Sequence, residues 1–374
     1  MNAERLWKAL PATLDFPEHL VKSSRARLAH RSELWHSADA PWLSNFPFFI
    51  NRINGMTTRP LLDVQDLTVS FGDTPVVRRV SFQLEKGRVL CLVGESGSGK
   101  SMTALSVIRL VPAPGHIASG RLLFDGEDLL SLPEREMRSR RGRDLSMIFQ
   151  EPMTSLNPVL TIGRQIAEPL EIHQGLSRRE ALERAAELME LVGIPDPGRR
   201  LGDYPHQFSG GMRQRAMIAM ALACSPRLLL ADEPTTALDI TIQGQILRLL
   251  GLLARERNMG TLLITHDLGV VAETADDVAV MYAGELVETA PAAELLARPL
   301  HPYTQALMTC APLVGSHERR RLPSIPGNVP LPSALPEGCS FRPRCSRAAR
   351  QCLQPPAFAE AAPGRRVRCW FPED

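Results

Sequence analysis

The octapeptide Gly94-Glu95-Ser96-Gly97-Ser98-Gly99-Lys100-Ser101 constrains this chain more than any other feature. It fits the spacing G-x-x-x-x-G-K-S/T, and its surroundings are those the spacing requires: the apolar run Val89-Leu90-Cys91-Leu92-Val93 before it and a helical pattern from Met102 to Leu110 after it. Glycines let backbone N–H groups turn inward around phosphates, and the following helix offers its positive N-terminal end. Lys100 reaches the β- and γ-phosphates, and Ser101 can bind Mg²⁺. A glycine-rich turn without function needs neither the strand nor the helix. The sequence therefore predicts a nucleotide site that uses Mg²⁺.

A second strand carries the matching chemistry. Leu228-Leu229-Leu230-Ala231 runs straight into Asp232-Glu233. Phosphoryl transfer needs one carboxylate in the Mg²⁺ sphere and another group to orient the attacking water, so Asp232 is assigned to the metal and Glu233 to water activation. The bland alternative is two solvated acids at a strand end. A third run, Thr261-Leu262-Leu263-Ile264, again ends at polar residues. Short β-branched runs alternating with helical segments define an α/β domain around a partly parallel sheet, whose ligands gather at the carboxyl ends of the strands.

Composition excludes several classes. The apolar fraction of 44% and charged fraction of 22% are those of an ordinary globular protein. A net charge of +2 provides no field to attract nucleic acid, which is therefore not expected as a partner. The best apolar run, Ala216 to Cys224, falls short of the roughly 18 residues a spanning helix needs. The first residues lack a secretory signal, which places the chain in the cytoplasm.

Along the 374 residues, three parts are expected. Residues 1–58 hold Trp7, Trp35 and Trp42 without sustained periodicity and read as a poorly structured extension. Met56, just ahead of the strand-like Leu61-Leu62-Asp63-Val64, would be a natural start, so this segment is either a loose appendage or follows a mis-assigned start. Residues 59–310 form the nucleotide-binding domain, with a helical subdomain inserted at about 152–211. Residues 311–374 are a separate tail, too rich in proline for long regular elements: Pro323, Pro326, Pro330, Pro332 and Pro336 crowd together.

Phe208-Ser209-Gly210-Gly211-Met212-Arg213-Gln214-Arg215 resembles the signature motif of ABC ATPases. Its Ser-Gly-Gly opens a helix from Met212 to Leu222, a second anion site at a helix N-terminus. The commoner form has Leu and Gln where this chain has Phe208 and Met212. The resemblance implies that Ser209, Gly210, Gly211 and Met212 meet the γ-phosphate of ATP held by an opposite subunit in a head-to-tail dimer. It also implies a Q-loop glutamine at Gln150 that senses γ-phosphate and Mg²⁺, and a D-loop at Ala237-Leu238-Asp239 whose Asp239 lies at the dimer interface. His266 matches the switch histidine, and Phe71 the aromatic ring that stacks on adenine, for which a flat π face suffices. The fold implied is a P-loop NTPase of the ABC ATPase type: a mixed-sheet core, an inserted helical subdomain and a Pro/Cys-rich C-terminal extension.

From about Leu61 to Asp374 the chain is similar to the peptide-importer subfamily. The segments Met147-Ile148-Phe149-Gln150-Glu151-Pro152-Met153-Thr154-Ser155-Leu156-Asn157-Pro158 and His301-Pro302-Tyr303-Thr304 carry that likeness. It implies an ATPase driving uptake of dipeptides, oligopeptides or related solutes such as nickel chelates or glutathione. The chain would work at the cytoplasmic face of the inner membrane as a peripheral protein. Its partners would be a second, distinct ABC ATPase subunit, two transmembrane permeases and, indirectly, an extracytoplasmic solute-binding protein. The competing class is a soluble ABC ATPase of translation or DNA repair, but such chains usually carry two cassettes or long coiled-coil insertions, and this one has a single P-loop and a single signature motif.

Cys339, Cys345, Cys352 and Cys369 gather near the end among arginines and prolines. Four thiolates are a complete ligand set for tetrahedral zinc or a 4Fe–4S cluster, and the spacing does not name the metal. By residue type alone zinc is favoured; the peptide-importer resemblance implies the iron–sulfur cluster, in a structural role. Cys91, Cys224 and Cys310 sit in apolar or helical contexts and are expected in the core.

Overall fold

The computed structural model describes residues 59–150, 155–235, 240–310 and 324–372. Met1–Thr58, Glu151–Thr154 and Asp239 lie outside the described residues, so the expectations placed on them stop there.

The chain builds two sheets. The first is antiparallel, in the order β2 (Thr74–Leu84), β1 (Leu62–Phe71), β4 (Gly115–Phe124), β5 (Glu127–Asp128). The second runs β11 (Ala359–Ala362), β12 (Arg365–Val367), β10 (Glu285–Pro291), β9 (Asp277–Tyr282), β3 (Val89–Val93), β8 (Gly260–Thr265), β7 (Leu228–Asp232), β6 (Leu145–Ile148). Its centre, from β9 through β3, β8 and β7 to β6, is parallel, and β10, β12 and β11 continue it antiparallel. The sheet is therefore mixed.

The apolar runs are continuous because the parallel strands are covered on both faces. Alternate residues of β3 enter different cores. Val89, Cys91 and Val93 join a cluster on the helical side, and Leu90 and Leu92 face the antiparallel sheet. β7 divides in the same way, Leu229 and Ala231 to one side, Leu228 and Leu230 to the other. Each such leucine removed from water contributes about 1.5–3 kcal/mol, which fixes the register of the strands whose ends carry the polar residues.

Helices α1 (Lys100–Val107), α2 (Glu134–Arg140), α3 (Ile162–Gln174), α4 (Arg178–Leu191), α5 (Pro197–Arg200), α6 (Gly210–Leu222), α7 (Ile240–Glu256), α8 (Leu268–Thr274), α9 (Ala292–Ala297) and α10 (Pro302–Cys310) complete the described chain. Between β6 and β7 there are helices and no strand among the described residues. In α4, Ala181, Ala185, Leu188 and Met189 are buried at helical spacing, and Ser177 with Glu180 forms a capping box at its start.

Two expectations change here. The tail is not separate from the domain: β12 pairs with β10, Glu288 opposite Val367 and Thr289 opposite Arg366, so the chain end extends the main sheet. Proline keeps its elements short, yet a free antiparallel edge still takes two strands. Cys91 and Cys224 are buried as expected, but Cys310, the last residue of α10, is only half buried because the helix ends at the surface there.

Candidate ATP site

The strand-to-helix turn from β3 to α1 forms the cradle. Gly94 has φ of +155° and packs so tightly on β9 that a Cβ would lie 2.2 Å from the Met281 carbonyl oxygen. Gly99, the N-cap of α1, has φ of +102°, and no side chain caps the helix. Its first amides are thus left for an anion, where the helix dipole also favours one. The hairpin after β9 supports the loop from behind, as the Gly284 N–H donates to the Ser98 carbonyl at 2.9 Å.

Lys100 is buried and folded back over its own loop. Its Nζ donates to the carbonyls of Gly94 and Glu95, each at 2.8 Å, and to Ser98 Oγ at 3.3 Å. Burial lowers the pKa of the ammonium, opposed by the charges of Glu233, Asp232 and Glu95. A partly desolvated cation among replaceable carbonyl partners is prepared for phosphate oxygens.

Asp232 ends β7 and is buried. Desolvation raises its carboxyl pKa, while a hydrogen bond with Ser101 and the charge of Lys100 oppose this. Its Oδ1 has no hydrogen-bond partner. A buried carboxylate oxygen without a partner, on a side chain that also interacts with Ser101, suits a hard divalent cation, so Ser101 and Asp232 fit the Mg²⁺ expected of this loop.

Glu233 follows at φ +46°, a left-handed conformation that costs a non-glycine residue on the order of 1 kcal/mol. Its N–H donates to the Ile264 carbonyl at 3.0 Å, which holds the turn. The carboxylate is held from both sides: Gln150 Nε2 donates to Oε2 at 3.1 Å, and His266 Nδ1 lies 3.1 Å from Oε1. β6 ends at Ile148, so Gln150 stands two residues beyond the strand in an exposed segment. Three strand ends thus deliver Gln150, Glu233 and His266 to one point, beside the loop that follows β3.

The segment Ser209–Met212 opens α6, with Ser209 Oγ accepting the Met212 N–H at 3.3 Å. Ser209 and Gly210 are exposed. Behind them, buried Gln214 donates from Nε2 to the carbonyl of Pro234, which joins α6 to the turn after Glu233. Phe71 closes β1 half-buried, its ring against Gly115, where a Cβ would come within 2.7 Å of it.

All four tail cysteines line one small cavity together with His301 and Phe341. The Cys339 N–H donates to the Cys352 carbonyl at 2.9 Å. Burial pushes the Cys339 thiol up to about 11, and the neighbouring Cys352 and Cys369 add to the shift; Cys345 and Cys369 are raised for the same reasons. Among the described residues no group of three His, Cys, Asp or Glu is drawn together closely enough to hold a single metal ion.

An ATP-hydrolysing P-loop cassette is the class that this fold and site define, and known proteins agree. Residues 77–236 match the ABC transporter family model, and residues 287–352 match the C-terminal region of oligopeptide/dipeptide transporters. The dimeric ATP-binding cassette MJ0796, in a post-hydrolysis state with ADP and Pi, superimposes with a TM-score of 0.57 at 27% identity, covering 62% of this chain and 98% of that one. A probable peptide ABC transporter ATP-binding protein of Sinorhizobium fredii, y4tR, is 54% identical over 83% of this chain and 94% of its own length. The dipeptide transport ATP-binding protein DppD of Escherichia coli is 49% identical over 84% and 97%. The chain belongs to the ATP-binding, ATP-hydrolysing subunits of peptide ABC importers.

Sequence reading missed the residues that tie the tail to the cradle. Glu288 is fully buried and accepts the N–H groups of Leu300 and His301, each at 2.9 Å. This seats the His301–Thr304 segment so that the Tyr303 hydroxyl accepts the Glu95 N–H at 2.9 Å. Burial drives the His301 imidazole down to about 3, keeping it neutral, with Nδ1 accepting the Tyr303 N–H. Arg78 links β2 to the tail, donating to the Ala283 carbonyl, Glu285 and Ser340 Oγ. The His-Pro-Tyr-Thr motif was visible in the sequence. Its contact with the loop two hundred residues earlier had no local signal.

Proposed function

We propose that this subunit powers import by closing on ATP and hydrolysing it at Glu233. In this reading Gly94, Glu95, Ser96, Gly97, Ser98, Gly99 and Lys100 bind the phosphates, and Phe71 stacks on adenine. Ser101, Asp232 and Gln150 hold Mg²⁺, which when bound neutralises phosphate charge. Glu233 positions the attacking water, with His266 and Gln150 steering its carboxylate. Ser209, Gly210, Gly211 and Met212 receive the γ-phosphate of an ATP bound to a facing subunit, and Asp239 serves at that interface. The observation that carries the reading is the Glu233 carboxylate suspended between Gln150 and His266 at 3.1 Å on each side. Glu233→Gln keeps the shape and removes the charge. ATP hydrolysis should fall by about 10²–10³ with ATP binding retained; undiminished steady-state turnover would remove Glu233 from the role.

The same proposal extends to the assembly. Two permeases, a distinct second ATPase and an extracytoplasmic solute-binding protein complete the transporter, and this chain sits peripherally at the cytoplasmic face of the inner membrane. The peptide-transport names of its relatives support this, and no described helix is long and apolar enough to cross a membrane. The division of the sequence at residues 58 and 310 belongs to the same reading, with the last part an extension that joins the main sheet rather than a separate body.

We assign a structural 4Fe–4S cluster to Cys339, Cys345, Cys352 and Cys369. Four thiols lining one cavity supply the donor number, and loading would release their protons. Protein purified without oxygen should carry four irons and a broad visible absorbance, both lost in Cys345→Ser. One zinc per chain instead would identify a tetrahedral zinc site.

A further inference from the structure

Glu95 is the second residue of the phosphate loop, and the structure grips it twice from the C-terminal side of the chain. Its N–H is bound by Tyr303, as described. Its carboxylate is clamped by Arg344: Nη1 lies 2.5 Å from Oε2 and Nη2 lies 2.9 Å from Oε1, a two-pronged pair. The Arg344 side chain is 4% exposed. Its Nε donates to the Pro326 carbonyl at 2.8 Å, and its guanidinium lies over the rings of Tyr282 and Phe341. Such a planar cation is fixed in direction as well as charge.

The consequence is electrostatic. Glu95 places a carboxylate in a loop that must receive a polyanion, and its charge is felt at Lys100, whose ammonium also donates to the Glu95 carbonyl. Left unpaired, that carboxylate would oppose incoming phosphates and compete with them for Lys100. We propose that Arg344 is a positioning residue of the ATP site, acting through Glu95: it neutralises the loop's own anion and holds the loop open to phosphate. The tail is then part of the nucleotide site in the same chain. This deepens the ATPase reading and rests on it.

In this pair Arg344 is buried and Glu95 is partly exposed; deleting one member strands the other charge, whereas removing both is milder. This asymmetry supplies the test. A fluorescent ADP analogue with Mg²⁺ is titrated into the purified full chain as wild type, Arg344→Ala, Arg344→Lys, Glu95→Gln and the Arg344→Ala/Glu95→Gln double variant. Arg344→Ala should weaken binding roughly tenfold or more, and in the assembled transporter raise the KM for ATP with kcat within about twofold. Arg344→Lys should fall between, since it keeps the charge without the fork. Adding Glu95→Gln to Arg344→Ala should recover most of the affinity that Arg344→Ala alone loses. Rescue by Glu95→Gln cannot come from repacking the tail, because the hole left by Arg344 persists in the double variant. Unchanged affinity in Arg344→Ala, or a double variant as weak as Arg344→Ala, overturns the proposal. A wild-type chain that fails to bind the analogue overturns the ATPase reading instead.

Discussion

Two helix N-termini are assigned to phosphate in the proposed function, and they are built in opposite ways. α1 begins at Gly99, lacks a side-chain cap, and is enclosed by β9, the hairpin at Gly284, Tyr303 of α10 and the tail residue Arg344. α6 begins at Ser209, is capped by that serine, and has its first residues exposed. The first has open amides inside a finished cradle, so it can take ligand within one chain. The second satisfies its own amide and faces outward, so it gains an anion only when another body brings one. Under the proposed function one end binds and the other responds, which is the division of labour a head-to-tail pair of cassettes needs.

Lys100→Ala should break the first half of that comparison most severely. The buried ammonium is the only charged donor that the loop itself supplies to the phosphates, and its loss leaves the Gly94 and Glu95 carbonyls facing the ligand. ATP hydrolysis should fall by at least about 100-fold, and nucleotide affinity by roughly tenfold, given the strength of charge-assisted bonds in a dry site. Calorimetric titration with ADP and Mg²⁺ checks it. Wild-type affinity in this variant would move the primary site away from α1.

Ser209→Arg attacks the second half. An exposed N-terminus tolerates a large side chain without disturbing the core, but a guanidinium there blocks a facing nucleotide. Hydrolysis by the assembled transporter should drop at least about tenfold, while ADP affinity of the isolated chain changes less than about twofold. A comparable loss in both assays would mean that the two N-termini serve one site in one chain and would collapse the distinction.

The difference between the ends also marks what the sequence made legible. The loop Gly94–Ser101 and the strand end Asp232-Glu233 were readable because each is a contiguous motif whose flanking periodicity declares a strand or a helix, whereas Ser209–Met212 was read through its resemblance to a family motif. Gln150 and His266 came from strand ends, aided by resemblance. Their convergence on Glu233 follows from the parallel order β3-β8-β7-β6, which no local pattern encodes. The enclosure of α1 was illegible for the same reason. Glu95 and Arg344 are 249 residues apart, and nothing near Arg344 distinguishes a buried clamp from one more arginine in a basic tail. Edge strands of only four and three residues have too little periodicity to announce themselves, so the tail read as separate when it extends the sheet.

The smallest effect separates capping from phosphate contact at α6. Ser209 and Ser177 each cap a helix through Oγ, at 3.3 Å to the Met212 N–H and 3.4 Å to the Glu180 N–H, but Ser177 is reinforced by Glu180 returning a bond at 2.9 Å. Either serine changed to alanine should cost about 0.5–2 kcal/mol of stability, with Ser177→Ala at least as costly because it also dismantles the capping box. Thermal unfolding measures that pair of losses directly. Hydrolysis by the assembled transporter should then part the two: Ser177→Ala leaves the rate unchanged after correction for folded protein, and Ser209→Ala lowers it several-fold, because the proposed function brings a facing γ-phosphate to Ser209 and none to Ser177. If both variants hydrolyse ATP equally well, Ser209 is a cap and nothing more, and recognition of the facing nucleotide falls to the amides of Gly210 and Gly211.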